Sequence, residues 1–225
     1  MKNTYFYFPL MGLLFAFGQG FSQERQDNAW KAVFTDYSLS ASKTLRLETH
    51  VRTRRFFTEN DQYLIRPSIS FKLSKNTAFA AGVTYLDTNT SPVRTIENNL
   101  WQQFNFSIPI KRSSYFGWIR LEQRWQRKNH ETTYGARIRF RTGFQFPLTS
   151  GTKPFSPKLV VFNEVFMLVE DNFPYHFNQN WTFVGFTQTV SKKLRVLTGF
   201  QRNSIAIGDS FLHKNIWSTL VFYKL

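Results

Sequence analysis

Two neighbouring stretches of the chain, Tyr115–Gln126 and Tyr134–Phe146, alternate strictly between charged and apolar residues. The alternation is clearest in the run Arg137, Ile138, Arg139, Phe140 and Arg141. A period of two residues predicts β-strands with one charged face and one apolar face. Large aromatic residues recur on the apolar face of strand after strand. We therefore predict a β-barrel of the outer-membrane type, whose apolar residues face lipid and whose charged residues face the lumen.

Composition restricts the alternatives. The 225 residues include no cysteine and four histidines, so a disulfide framework and a thiolate metal site are excluded and little material remains for zinc. The net charge of +15 raises the question of nucleic-acid binding. The basic residues, however, occupy alternate positions within apolar strands and form no patch, which argues against a nucleic-acid interface. No cofactor or metal is expected.

The N-terminus is typical of an exported protein. Lys2 precedes an apolar run, Tyr5–Phe17, and the small residues Gly20 and Ser22 follow at signal-peptidase spacing. We predict a signal peptide over residues 1–22 and a single barrel domain over residues 23–225. A membrane anchor is the alternative, but the run is too short to span a bilayer. No later run of 18 apolar residues exists, so the expected location is the outer membrane.

Eleven stretches carry strand patterns. They are Trp30–Leu39, Thr44–Phe56, Gln62–Leu73, Thr77–Leu86, Asn98–Pro109, Tyr115–Gln126, Tyr134–Phe146, Pro157–Glu170, Trp181–Val190, Leu194–Ile205 and Phe211–Leu225. Bacterial barrels normally have an even number of strands. The predicted fold is therefore all-β, an up-and-down antiparallel transmembrane β-barrel of about twelve strands, with ten as the alternative.

The connections between these stretches alternate in length. Those at 40–43, 74–76, 111–114 and 191–193 are short, and those at 87–97, 128–133 and 171–180 are longer. Short turns are expected on the periplasmic side, which would send the first strand towards the periplasm although an exported N-terminus should start there. A missed strand, or a crossing of the lumen by residues 23–29, would resolve the conflict.

The order of seven motifs resembles one family. They are Leu64-Ile65-Arg66-Pro67, Ala81-Gly82-Val83-Thr84-Tyr85, Glu97 with Leu100-Trp101-Gln102-Gln103-Phe104, Arg120-Leu121-Glu122-Gln123-Arg124, Arg137-Ile138-Arg139-Phe140-Arg141, Asn163-Glu164-Val165-Phe166, and Phe177-Asn178-Gln179-Asn180 before Gly185. Together they resemble the outer-membrane family called domain of unknown function 2490. The chain departs from it at Asn99 and Trp181, where that family usually has arginine. The resemblance implies a barrel and no activity.

A charged lumen network is the strongest functional signal. The charged residues on the inward parity are Arg46, Glu48, Arg52, Arg54, Arg66, Arg120, Glu122, Arg124, Arg137, Arg139, Arg141 and Glu164. An arginine at the midplane of a lipid face costs about 2–4 kcal/mol, so these side chains are expected inside. Neighbouring arginine rows repel unless carboxylates or anions lie between them. Ion pairs could therefore fill the lumen, or the arginines could form an anion-selective path.

Three functions follow from this reading. The leading hypothesis is a narrow channel for small anionic solutes, and its alternative is a closed structural or scaffolding barrel. The third is a lipid acyl hydrolase in the membrane, for which the sequence offers His50, His130, His176 and His213 but no Gly-x-Ser-x-Gly motif. We therefore expect no enzyme. The expected partners are outer-membrane lipids, lipopolysaccharide and, during insertion, the barrel-assembly machinery. The oligomeric state is left open.

Overall fold

The computed structural model describes residues 25–90, 93–149, 156–169 and 176–225. The strands are β1 (Arg25–Ser38), β2 (Lys43–Arg54), β3 (Glu59–Lys72), β4 (Thr77–Thr90), β5 (Val93–Ile110), β6 (Ser113–Lys128), β7 (Glu131–Pro147), β8 (Lys158–Leu168), β9 (Phe177–Thr189), β10 (Leu194–Ile207) and β11 (Ser210–Lys224). No helix among the described residues is long and apolar enough to cross a membrane. The predicted signal peptide, residues 1–22, lies outside the described residues.

The strands form one closed barrel, which confirms the predicted all-β barrel fold. Consecutive strands pair in antiparallel fashion, and β1 and β11 pair in parallel from Arg25↔His213 to Asp36↔Lys224. The strand number is eleven, between the expected twelve and ten. With an odd number of alternating strands, the first and last run in the same direction, so a parallel pair closes the sheet and no twelfth strand is needed. Residues 25–29 belong to β1 and do not cross the lumen.

The closing pair places the start of β1 and the end of β11 at opposite ends of the barrel. We call these the N-terminal end, where β1 starts, and the C-terminal end, where β11 stops. Connections 87–97 and 128–133 are shorter than expected. In the first, β4 extends to Thr90 and β5 begins at Val93, and in the second, only Asn129 and His130 separate β6 from β7. Both turn residues have positive φ (49° and 69°), as a two-residue hairpin turn requires. The sequence predicts loops at these strand ends because their residues are mostly polar and lack the apolar alternation.

The alternation of the sequence is retained as an inside and an outside. On β7, Ile138 and Phe140 are 40% and 42% exposed on the outer face, whereas Arg139 between them is 6% exposed. Leu121 on β6 is likewise exposed, and Glu122 beside it is fully buried. The charged face thus lines the lumen, and the apolar face forms the outer surface.

Apolar side chains occupy part of the lumen towards the C-terminal end. Val160, Phe162, Phe183 and Leu197 form a buried cluster there, in which the rings of Phe162 and Phe183 stack 4.8 Å apart. The ring of Phe183 lies against Gly185 on its own strand and the adjacent strand's Gly199. This cluster bounds the charged layer described next.

Candidate functional site

The charged layer is organised around β7, whose neighbours each supply one carboxylate. Directly opposite Arg137 stands Glu122 on β6, and directly opposite Arg141 stands Glu164 on β8. Arg137 donates to Glu122 Oε2 through Nε at 2.8 Å and Nη2 at 2.5 Å. Arg141 donates from Nε to Glu164 Oε2 at 2.8 Å, and its Nη2 contacts the same oxygen. Cross-strand pairs of opposite charge therefore hold three strands in register.

Arg139 lies between these two pairs and joins them. The residue opposite it on β6 is Arg120, a like charge. Arg139 instead reaches diagonally in both directions, donating to Glu122 Oε1 at 2.7 Å and to Glu164 Oε1 at 2.7 and 2.5 Å. Both carboxylates are 0% exposed. Each buried carboxylate is thus neutralised by at least two guanidinium groups.

Similar pairs line the rest of the wall. Glu97 accepts from Arg124 at 3.0 and 2.6 Å and from Gln126 at 2.6 Å. On β2, three strands from β5, Glu48 lies 2.9 Å from Arg66 Nη1 and 2.6 Å from His50 Nε2. These groups are all buried or partly buried. Screening by bulk water is therefore weak, and each attraction is stronger than it would be at the protein surface.

Two further contacts involve carboxylates that the sequence analysis did not select. Arg46 forms a two-point pair with Asp36 on β1, at 2.6 and 2.7 Å. A β-bulge after Arg52 turns Asp61 inward, where it lies 3.7 Å from Arg54 and 3.8 Å from Lys214. Arg46 and Asp36 are thus within hydrogen-bond distance, whereas Asp61 is too far from Arg54 and Lys214 to form hydrogen bonds with them.

Aromatic rings cover the faces of the guanidinium groups. The Arg139 guanidinium carbon is 4.3 Å from the ring centroid of Phe166, and that of Arg141 is 4.0 Å from Phe162. Trp181 replaces an arginine expected from the family resemblance. Its ring packs 4.6 Å from Phe166 and 5.2 Å from Trp30. Cation–π contacts of this kind are stronger when desolvated, and they fix the arginine side chains in place.

A cavity of about 560 Å³ remains between the walls. Its charged lining is Arg46, Glu48, Arg52, Asp61, Arg66, Glu97, Arg120, Arg124, Arg137, Arg139, Arg141 and Lys214. Cations clearly outnumber carboxylates in that lining. Small-molecule sites in proteins measure about 300–1,000 Å³, so the cavity is the size of a small-solute site rather than of a wide aqueous channel.

The structure places all twelve residues of the predicted network on inward positions. Eleven of them form ion-pair contacts with carboxylates or cations: Arg46, Glu48, Arg54, Arg66, Arg120, Glu122, Arg124, Arg137, Arg139, Arg141 and Glu164. Arg52 donates to Gln62 instead, at 2.8 Å. Sequence reasoning missed Asp36, Asp61, Glu97 and Lys214 as members. Inward parity was a usable signal for Asp36, but the bulge that turns Asp61 inward leaves no such pattern.

The histidines give the hydrolase hypothesis little support. His213 Nδ1 lies 3.0 Å from the Oγ of Ser204, its cross-strand neighbour on the outer face. Within the described part of the chain, however, no carboxylate lies within ion-pair distance of His213 to orient the ring, as a catalytic triad would require. His50 is engaged by Glu48. No group of three or more potential metal ligands occurs among the described residues.

Comparison with known families supports the resemblance drawn from the motifs. The profile of a family described as protein of unknown function (DUF2490) matches residues 27–209. That range contains every carboxylate of the lumen network. A search of curated proteins found no match.

The central carboxylates generate a stability prediction. Glu122→Gln should lower the free energy of unfolding by about 3–5 kcal/mol, because it leaves Arg137 buried without its counter-ion and Arg139 with Glu164 alone. Glu164→Gln should act similarly. The double variant should cost more than the sum of both losses, since each single variant leaves Arg139 one carboxylate and the double variant leaves it none. Denaturant unfolding of the purified protein measures all three.

The matched control is Glu131→Gln at the exposed start of β7. It should change stability by no more than about 0.5 kcal/mol, as expected for a surface position. A similarly small loss for Glu122→Gln would contradict the assigned role of the buried carboxylates.

Proposed function

The chain belongs to the DUF2490 family of unknown function, and we propose from its geometry that it is an outer-membrane β-barrel that admits small anionic solutes into its lumen. The observation that carries the solute proposal is the small cavity with an excess of cations. The membrane proposal rests on the outer surface.

The outer surface carries exposed large apolar side chains on every strand. One example from each strand is Val33, Leu47, Ile65, Val83, Leu100, Leu121, Ile138, Met167, Val184, Phe200 and Trp217. Monomeric soluble proteins rarely expose contiguous apolar patches beyond a few hundred Å². A belt around a closed barrel far exceeds that, and lipid is the solvent that suits it.

Aromatic residues mark both edges of this belt. Tyr134 packs on Trp125 at one edge (5.4 Å), and Phe144 packs on Tyr115 at the other (5.0 Å). Tyr134 and Phe144 are ten residues apart on β7, which corresponds to about 25 Å along the barrel axis at a strand tilt of about 40°. Outer-membrane barrels have an apolar band about 25 Å tall between aromatic girdles. The spacing supports the same placement here.

A second candidate function is a closed structural barrel. It is favoured by the complete burial of Glu122 and Glu164 and by the arginines and aromatic rings packed around them. Such a network rigidifies the wall and narrows the lumen. The two candidates differ in whether an anion can enter the remaining cavity, and conductance distinguishes them.

Lipid headgroups are the partners that suit the C-terminal end. Its exposed cations are Lys43, Lys72, Lys75, Lys111, Arg112, Lys158, Lys192, Lys193 and Lys224. Among the described residues of this end, the only acidic side chain is Asp36, which pairs with Arg46. The N-terminal end, in contrast, mixes both signs. A cationic ring beside an apolar belt matches anionic phospholipid headgroups, each cation near the surface contributing about 1 kcal/mol.

The membrane placement predicts that Ile138→Arg impairs insertion. An arginine on the lipid face near the midplane should cost about 2–4 kcal/mol. The control is Thr132→Arg on the same face at the start of β7, which should cost about 0–1 kcal/mol. Folding into phosphatidylcholine vesicles, followed by heat-modifiable gel mobility, measures both. Equal yields for the two variants would contradict the lipid-facing assignment.

The solute proposal predicts anion-selective conductance. Purified protein in a planar bilayer under a salt gradient should give discrete current steps with a reversal potential that indicates anion preference. Lys214→Gln, which removes a cation from the cavity wall, should reduce that preference. Lys128→Gln, at an exposed hairpin tip, is the control and should leave it unchanged. The absence of steps would reject the channel and favour the closed barrel.

The cationic ring predicts a dependence on lipid charge. At low salt, the protein should insert faster into vesicles that contain phosphatidylglycerol than into vesicles of pure phosphatidylcholine, because the anionic headgroups attract the cations of the C-terminal end. Lys192→Gln with Lys193→Gln should weaken that preference, and Arg127→Gln with Lys128→Gln at the N-terminal end is the control. If phosphatidylglycerol accelerated insertion of both double variants equally, the proposed binding of anionic headgroups by the C-terminal end would be wrong.

A further inference from the structure

We infer that the lumen contains a binding site for a small oxyanion, a carboxylate or phosphate group, between Arg52 and Arg120. This inference rests on the proposed function for the route by which an anion arrives. It goes further by naming the two arginines at which the anion would bind. These differ from the arginines of β7 because neither donates a hydrogen bond to a carboxylate of the described residues.

Arg52 is a buried cation without a carboxylate partner. It is 8% exposed, and among the described residues no carboxylate oxygen lies within 4.0 Å of it. Its Nη1 donates to Gln62 at 2.8 Å, and its guanidinium stacks 4.0 Å from the ring of Trp30. Its Nε has no hydrogen-bond partner in the described part of the chain. Burial of an unpaired charge is costly, and an anion would remove that cost.

Arg120 is a second buried cation, and its ion pair is a long one. It is 7% exposed, and its Nε donates to the neutral Gln103 at 2.6 Å. The nearest carboxylate is that of Glu122, at 3.6 Å from Nη1, and this carboxylate already accepts from Arg137 and Arg139. Arg120 Nη1 makes no hydrogen bond to any described residue.

The two arginines face the same cavity. Arg66 and Arg139 both repel each of them electrostatically, and Glu48 attracts both from a distance. The indole Nε1 of Trp30, which lines the cavity too, is a further donor without a described partner. All three free atoms are N–H donors. Their natural ligand is an acceptor with negative charge, and a guanidinium suits the paired oxygens of a carboxylate or phosphate.

The surroundings limit the size of the ligand. The guanidinium carbon of Arg120 lies 4.2 Å and 5.0 Å from the ring centroids of Trp101 and Trp118, so these rings occupy part of the space around it. The cavity of about 560 Å³ accommodates a small solute. The site therefore fits a compact anion and excludes a polymer.

The direct test is calorimetric titration of inorganic phosphate into the purified full-length protein in zwitterionic micelles, with sodium chloride of equal ionic strength as the reference. Wild-type protein should bind phosphate saturably. Arg52→Gln and Arg120→Gln should each weaken binding by roughly tenfold or more, the loss of a charge-assisted hydrogen bond. Acetate titrated in parallel shows whether the site prefers a carboxylate or a phosphate.

The control is Arg127→Gln, an exposed position at the far end of the strand that carries Arg120. It should bind phosphate as wild type does. Both test variants should fold. Arg52 donates to Gln62 and to no carboxylate of the described residues, and Glu122 still accepts from Arg137 and Arg139 when Arg120 is replaced. In the absence of phosphate, Arg52→Gln should raise the melting temperature by removing repulsion. Phosphate should then raise it less than in the wild type.

The outcomes separate this site from the channel. Unsaturable phosphate binding in the wild type, or equal affinity in wild type, Arg52→Gln and Arg120→Gln, overturns the site whatever the conductance. Saturable binding that both variants weaken, in a barrel without current steps, supports the site and rejects only the path across the membrane.

Discussion

The structure depends on one constraint, the need to neutralise charge that a closed sheet directs into its interior. Alternate residues of a strand face opposite sides, so strands with an apolar outer face direct their charged row into the lumen. There it meets the rows of neighbouring strands. Arg139 opposite Arg120 would be repulsive, and the repulsion is relieved because Glu122 and Glu164 lie diagonally on either side. Register, side-chain direction and stability of β6, β7 and β8 follow from these two carboxylates.

The neutralisation is uneven around the barrel. From β5 to β8 each inward carboxylate oxygen is engaged by arginine, and Trp118, Phe162 and Phe166 lie close to the guanidinium groups. That sector is a rigid wall, with Arg120 on β6 as its most weakly paired cation. Outside it, the cavity borders on Arg52 of β2 and Lys214 of β11, which lack close carboxylate partners among the described residues. Rigidity on one side and residual positive charge on the other thus arise from the same sequence pattern.

Strand pattern and facing were predictable because both depend on a period of two that short windows reveal. Each of the eleven stretches read from the sequence overlaps a strand, and outward Ile138 and inward Arg139 lie as their parity indicates. The predicted count of about twelve strands is close to the observed eleven. The difference arises because the parallel pairing of β1 with β11 depends on contacts between residues nearly 190 positions apart. Asp61 was missed because the bulge at Thr53 changes the inward parity locally. Pairing partners across the lumen leave no local signal at all.

The distinction between paired and unpaired arginines changes which residues can select an anion. Sequence alone points to Arg137, Arg139 and Arg141, the most regular row. The structure shows these three bound to carboxylates, so replacing them would first disturb the barrel wall and would say little about solutes. Selectivity requires potential that protein carboxylates have not cancelled. Under the proposed function, Arg52 and Arg120 supply that potential, because neither donates a hydrogen bond to a carboxylate in the described part of the chain.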